Sequence, residues 1–489
     1  MLSLICSAIA LSISTISVKD FGAVGDGIAM DTHAFQSAID QAATTGKQVV
    51  DVPPGRYLSG TIHLKSHVEL HLEKGATILG STHRHDYDHG VWYSLIMAAD
   101  VNDIAVTGDG VIDGQGAEVA KDVLHLVEIG ELKIPPKGWR PSEVDRPEVV
   151  EITRCRKVRM EGVTLKNSTC WVQTYRNCVD LFLNGVKVDS KTYWNNDGID
   201  VVDCHKVHIM NCDIDSNDDG ICLKSVGPKD ICEDILVENC KVRSSASAVK
   251  FGTSSGGGFK HIKVRGIQIR DTFRSAVALE SVDGGILEDV LVENVRAVHT
   301  GNAFFIRLGH RNTKVPVGRV NGVTIRNLYV EIPAGRPDFG YPFHGPQFLE
   351  PHNLAPSSVV GHSQVPISNI KLENITIKMA GGGDPSIAYV PTSQLAKVPE
   401  RPTDYPEFTM FGELPAWGIY LRHVNGIQIS NLKLILDRRD YRPAIVSDQV
   451  HGLTLSGIKV IGPVTGPAVV VRKTRSIHAS KGIGIVRVQ

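Results

Sequence analysis

Aromatic side chains are scarce in this chain: Phe, Trp and Tyr make up 6% of 489 residues, against 47 glycines. That balance disfavours large helical packing faces and favours many short strands joined by tight turns. An excess of charge is missing as well, since Lys and Arg number 52 and Asp and Glu 53. No basic stripe offers a nucleic-acid surface, and no block of like charge marks a disordered tail. No Cys-x-x-Cys pair with zinc-site spacing occurs among the nine cysteines. Cys6 stands alone, and Cys155, Cys170, Cys178, Cys204, Cys212, Cys222, Cys232 and Cys240 share one short segment, which leaves the redox compartment open.

What is present begins with an apolar stretch, MLSLICSAIALSISTIS, that lacks Lys and Arg. It is too short for a membrane span, which needs ~20 residues. Residues 1–17 read as the apolar part of a secretory signal, with a first buried strand or helix as the other reading. The first reading implies a secreted or periplasmic protein. Asp31 to Ala43 places Ala34, Ala38, Ile39 and Ala42 at helical spacing, with Asp31 or Thr32 as N-cap. This is expected to be the one substantial helix, capping the exposed end of a solenoid.

Strand-like runs follow, punctuated by Gly and Pro: QVVDVP, GTIHLK, VELHLE and ATILGS. From residue 99 onwards one unit recurs at intervals of about 22 to 30 residues, with two or three short strands in each pass. Cys155, Cys178 and Cys204 hold matching turn positions in successive passes, as do Cys212 and Cys240. Such a repeat predicts an all-β fold, a parallel β-helix over residues 18–489. Residues 331–418 break the rhythm with many prolines and read as long loops inserted between coils, of the kind that border clefts. Their Tyr341, Phe343, Tyr389 and Tyr405 are candidates for closing one end of a cleft.

The most informative stretch is NNDGIDVVDCHKVHIMNCDIDSNDDGICLKS, residues 195–225. Asp197-Gly198 and Asp219-Gly220 lie 22 residues apart, and Asp218 adds a third carboxylate. If 22 residues make one coil, Asp197 and Asp219 become neighbours at the ~4.8 Å spacing of adjacent strands. Carboxylates that close cannot all ionise freely, so one retains a proton near neutral pH. A protonated acid beside an ionised base suits glycosidic cleavage, and a separation of ~6.5–9.5 Å leaves room for the water of an inverting mechanism. Two other readings stand beside this one. Asp-Gly steps are ordinary turn formers, and clustered carboxylates bind Ca²⁺.

The sequence resembles glycoside hydrolase family 28, the polygalacturonase family. NNDGID resembles the family's N-T-D-G motif and NDDG its paired-Asp motif, while VKDFGAVGDGIAMDTHAFQSAID, GVIDGQG and SDQVHGLTLSGIKV also fit. The resemblance implies a right-handed, single-stranded β-helix and inverting hydrolysis of pectic polysaccharide or its oligosaccharides, with no cofactor and no metal. It implies Asp218 as general acid, Asp197 and Asp219 as activators of the water, and Asn195 as a positioning residue. A monomer is expected. Two rival functions remain: a Ca²⁺-dependent lyase on the same fold, and a carbohydrate-binding β-helix without catalysis.

Two family motifs are missing. Ser247 stands where the His of G-H-G is expected, and Ala278 and Glu280 occupy the Arg and Lys positions of R-I-K, which grips a uronate carboxylate. Losing two cations and gaining an anion should weaken uronate binding there. Stacking ICLKS, VKFGT, VALES and FFIRL in register puts Lys224, Glu280 and Arg307 in one outward column and Lys250 with Asp200 in its neighbour. These are substrate-binding candidates or, alternatively, ion pairs on a solvated face. Trp194 is the expected wall of a sugar subsite, whereas Trp171 is expected to pack between coils.

Overall fold

The computed structural model describes residues 15–489 except 46–47, 137, 336, 338–340, 342–353 and 387–389. Among these, the strands join into one continuous 35-stranded system. Each strand pairs in parallel with the strand one coil away, as in Thr174↔Asp200 and Asp200↔Cys222. Three strands make a coil, for example Gln173–Arg176, Val179–Asn184 and Lys187–Ser190, followed by Ile199–Val202, His205–Met210 and Asp213–Ser216. The molecule is a right-handed parallel β-helix. Side chains alternate, so every second residue points into a single core that runs the length of the coil.

Corners set the repeat. At one of them, Asn294, Asn327, Asn374 and Asn431 hold φ between 52° and 56°, in the left-handed region that Asn tolerates better than most residues. Their amides bond from coil to coil at 2.9, 3.1 and 2.9 Å. Each residue thus bends the chain and satisfies its neighbour. The cysteines belong to the same stacking: all eight described ones are buried thiols without a disulfide, and Cys178 N–H donates to Cys204 Sγ at 3.2 Å.

The structure departs from the sequence reading in four places. Helix α1, Thr32–Thr44, caps the N-terminal end as expected, but Asp31 does not cap it. Its carboxylate accepts instead from Val24 N and Gly25 N at 2.6 and 3.1 Å, tying the preceding loop down. A second 13-residue helix, α2, Gly116–Glu128, buries Val119, Ala120, Val123 and Leu126. It follows Gln115 at φ 49° with no side-chain cap, so the usual start signal is absent. Thr15–Ser17, assigned above to the signal segment, pairs with Val49–Asp51 as the first strand of the coil. Finally, residues 331–418 are not loop throughout. Ser357–Val360 and Ile367–Gly381 form strands of a further coil.

The rest of that insertion has a defined place. Val390, Leu395, Val398, Phe408, Phe411 and Leu414 pack on Phe305, Val360 and Tyr420, on the outer face of the sheet that carries the Asp motif. This cluster seats Tyr405 beside the motif. Phe343 and Tyr389 lie outside the described residues.

Candidate active site

The two Asp-Gly steps stack as the 22-residue spacing predicts. Gly198 N donates to Asp219 O at 2.9 Å, and Gly220 N to Ser247 O at 2.8 Å. Asp197, Asp219 and Ser247 thus follow one another in successive coils. Only glycine fits after each Asp. A Cβ at Gly198 would sit 2.5 Å from Gly220 O, and one at Gly220 would sit 2.4 Å from Val242 Cγ1. Coils that approach this closely bring one oxygen from each of Asp197, Asp218 and Asp219 within 4.8 Å of one another. That is tighter than the ~6.5–9.5 Å anticipated above.

Buried cations make such crowding possible. Lys224 Nζ lies 2.9 Å from Asp197 Oδ2 and also bonds Asp200 Oδ1. Lys250 Nζ lies 3.1 Å from Asp219 Oδ2. The same register places Asp200, Cys222 and Lys250 in one column, and Glu280 beside Arg307 in the next. This face is not solvated: Lys224, Lys250, Glu280 and Arg307 are all buried. The two ammonium groups thus offset part of the negative charge of Asp197, Asp200, Asp218 and Asp219.

Its members titrate in opposite directions. Burial and the neighbouring Asp219 push Asp218 above the usual carboxylate range. Asp219 is buried too, yet Lys250, Arg274 and Lys224 together hold it below that range. Burial lifts Asp197 well up, helped by Asp200, Asp218 and Asp219, although Lys224 opposes it. Asp197 Oδ1 is buried without a hydrogen-bond partner. Asp218 Oδ1 accepts from Asp219 N at 2.9 Å, and Asp219 Oδ1 from Ser247 N at 3.0 Å, so both side chains are fixed.

The three carboxylates line a cavity of about 540 Å³, together with Asn195, Lys224, Lys250, Arg176 and Arg311. Its aromatic wall is Trp171 and Trp92, whose ring centroids are 4.4 Å apart, with Tyr405 also in the lining. Here the placement differs from the sequence reading. Trp171 faces the cavity, with Lys224 Nζ 3.7 Å from its ring centroid. Trp194 is not in the lining and packs against Trp139 at 4.8 Å. Trp171 lies in the turn before the strand Gln173–Arg176, between buried Cys170 and Val172.

Asn195 lies in the lining, but its Oδ1 accepts from Arg146 Nη2 at 2.9 Å. Arg307 and Glu280 are not in the lining. Arg307 donates to Gly361 O, Glu400 O and Arg401 O at 3.3, 2.9 and 3.0 Å, clamping the insertion onto the sheet. Glu280 is buried, and burial raises its pKa to about 7 against the pull of Lys250.

One member of the site escaped the sequence reading altogether. Arg274 is buried, ion-paired with Glu407 of the insertion, and close enough to Asp218 and Asp219 to lower both. Its signal was the register: Arg274 N donates to Ala246 O at 2.8 Å, which places it two coils after Asp218 in the same column.

Comparison with known proteins agrees with this picture. Residues 43–244 match the family model of glycosyl hydrolases family 28. A probable polygalacturonase of Vitis vinifera is 26% identical over 344 residues, covering 66% of this chain and 61% of that protein. An exo-poly-alpha-D-galacturonosidase of Dickeya chrysanthemi is 25% identical over 379 residues, covering 65% and 62%. The chain thus spans about three fifths of the length of these relatives. Among solved structures, the exopolygalacturonase of Thermotoga maritima superposes with a TM-score of 0.62 at 22% identity, over 86% of this chain and 91% of that one, which shows a shared fold. Asp197, Asp218 and Asp219 all lie within the stretch that matches the model of glycosyl hydrolases family 28.

Proposed function

We propose that this chain hydrolyses O-glycosidic bonds in pectic polysaccharide or its oligosaccharides. The observation that carries the reading is the convergence of three buried carboxylates, from two consecutive coils, on the wall of one cavity. Asp218 has its pKa raised and no cation paired to it among the described ion pairs, so it suits the general acid that protonates the departing glycosidic oxygen. Asp219, kept ionised by Lys250, suits the base that takes a proton from water. Asp197, drawn up by burial, presents Oδ1 to that water as a positioning partner. Lys224 and Lys250 fix the two flanking carboxylates. Inversion rests on the family resemblance, and the close packing of the carboxylates makes product stereochemistry its test.

The substrate is a polymer outside the cell, so the reading places the protein in a secreted or periplasmic location. No helix among the described residues is long and apolar enough to cross a membrane. The decisive experiment is incubation with homogalacturonan and rhamnogalacturonan fragments, reading product mass and anomeric configuration. Saturated products with inverted configuration are expected. Unsaturated products that absorb in the ultraviolet and vanish with a chelator would mean a lyase. No turnover of any fragment, with binding intact, would mean a carbohydrate-binding protein.

A further inference from the structure

Four cations line the cavity: Arg176, Lys224, Lys250 and Arg311. Three are committed. Lys224 holds Asp197 and Asp200, and Lys250 holds Asp219. Arg311 pairs with Asp283, its Nε 2.9 Å from Oδ1. Arg176 forms no ion pair with any described carboxylate within 4 Å, and its Nε and Nη2 are buried without a hydrogen-bond partner. The side chain as a whole is half-buried, but two enclosed guanidinium N–H groups without an acceptor are costly unless something else supplies one.

Its neighbours hold it but do not neutralise it. The guanidinium carbon lies 4.9 Å from the ring centroid of Trp92 and 5.4 Å from that of Trp171. Trp92 is itself anchored, because Glu151 accepts from Trp92 N at 2.7 Å and from Val91 N at 2.8 Å, so the carboxylate of Glu151 is spent on the backbone. Burial holds Glu148 and Asp200 above the usual carboxylate range although Arg176 draws both carboxyls down, and neither comes within ion-pair distance of it. The ring of Trp171 also carries Lys224, which touches Asp197. One indole therefore separates Arg176 from the acidic cluster.

We infer that Arg176 binds the carboxylate of a hexuronic acid residue next to the bond that is cut, taking over on the N-terminal side of the acids the grip that Ala278 and Glu280 cannot supply. The inference rests on the hydrolase reading above for the position of that bond. Arginine suits the task, because its planar fork stacks on aromatic rings while pairing a carboxylate edge-on.

The test measures binding in the Asp218→Asn background, so that turnover does not interfere. The probes are a galacturonic acid oligosaccharide and its fully methyl-esterified counterpart, titrated calorimetrically. The Asp218→Asn protein should prefer the acid over the ester. Adding Arg176→Gln should weaken the acid form by about 10- to 100-fold, the worth of a hydrogen bond to a charged group, and leave the ester unchanged. Arg176→Lys should keep part of the preference. Equal loss for both probes, or no preference for the acid in the Asp218→Asn protein, would overturn the assignment. If the wild-type chain releases no product from either probe while the Arg176-dependent preference persists, this assignment stands and the hydrolase reading falls.

Discussion

Replacing Lys250 by methionine tests the electrostatic core of the site. The side chain keeps its length and loses its charge, and both partners of the pair are almost fully enclosed. At 3.1 Å, a unit charge pair at an effective dielectric of ~20 is worth about 5 kcal/mol. Arg274 and Lys224 remain, and the ammonium no longer has to be desolvated, so the net cost to folding at pH 7 is about 3–5 kcal/mol, as for other broken buried pairs. The cost depends on pH in a determined direction. In the wild type Asp219 is held below its unfolded pKa, so its stabilisation is present above that value and is lost as pH falls through the folded one. In Lys250→Met, burial acts with less opposition and Asp219 moves up. The stability gap between the two proteins is then full at neutral pH and narrows on acidification, once the variant's Asp219 takes up a proton. Denaturant unfolding at a series of pH values reads this gap, and the acid limb of the pH–rate profile of hydrolysis should move to higher pH. A gap that is constant from neutral to acidic pH, with the acid limb unmoved, would refute the role of Lys250.

The other expectations concern the acids, the insertion and the glycines. Asp218→Asn and Asp219→Asn should each lower kcat by at least about 10²–10⁴-fold, the usual share of general acid or base catalysis. Asp197→Asn should cost less than either, because an amide still positions water; a larger loss than in Asp219→Asn would reassign the base. Arg307→Ala should destabilise by about 3 kcal/mol or more through unpaired buried carbonyls and expose residues 390–414 to protease; an unchanged cleavage pattern would argue against the clamp. Gly220→Ala places a methyl 2.7 Å from Ala248 O and should cost about 1–3 kcal/mol with loss of activity, read as a lower Tm and slower hydrolysis.

The coil was legible because a parallel β-helix writes its register into the sequence. Any two residues one coil apart touch, so the 22-residue spacing of the Asp-Gly steps translated directly into the contact from Gly198 N to Asp219 O. The column of Asp200 and Lys250 and the pairing of Glu280 with Arg307 were legible for the same reason, whereas a register shift after Leu223 breaks the column expected to join Lys224 to Glu280 and Arg307. What stayed hidden depends on contacts without a period. Arg274 meets Glu407 across 133 residues, and Trp92 reaches Trp171 from a loop outside the repeat. Helix α2 interrupts the strand pattern without a cap to announce it. Exposure was hidden too. Alternation marks which face a side chain takes, but not that the insertion covers the outer face and turns a solvated surface into a buried one.

The missing motifs take on a different meaning in this light. Position by position, the coil after Asp219 lacks a His and the next lacks an Arg and a Lys. Counted by coil, cations are still there. Lys250 lies three residues after Ser247 and reaches Asp219, and Arg274 lies four residues before Ala278 and influences Asp218 and Asp219. A short shift along a strand or around a corner changes the column a charge occupies but not the coil it belongs to. A cluster of buried carboxylates demands positive charge nearby, whichever column supplies it. In this chain the cations of those two coils turn towards the acids and the insertion, which leaves a substrate carboxylate to be met from the other side of the cluster, where Nε and Nη2 of Arg176 have no hydrogen-bond partner.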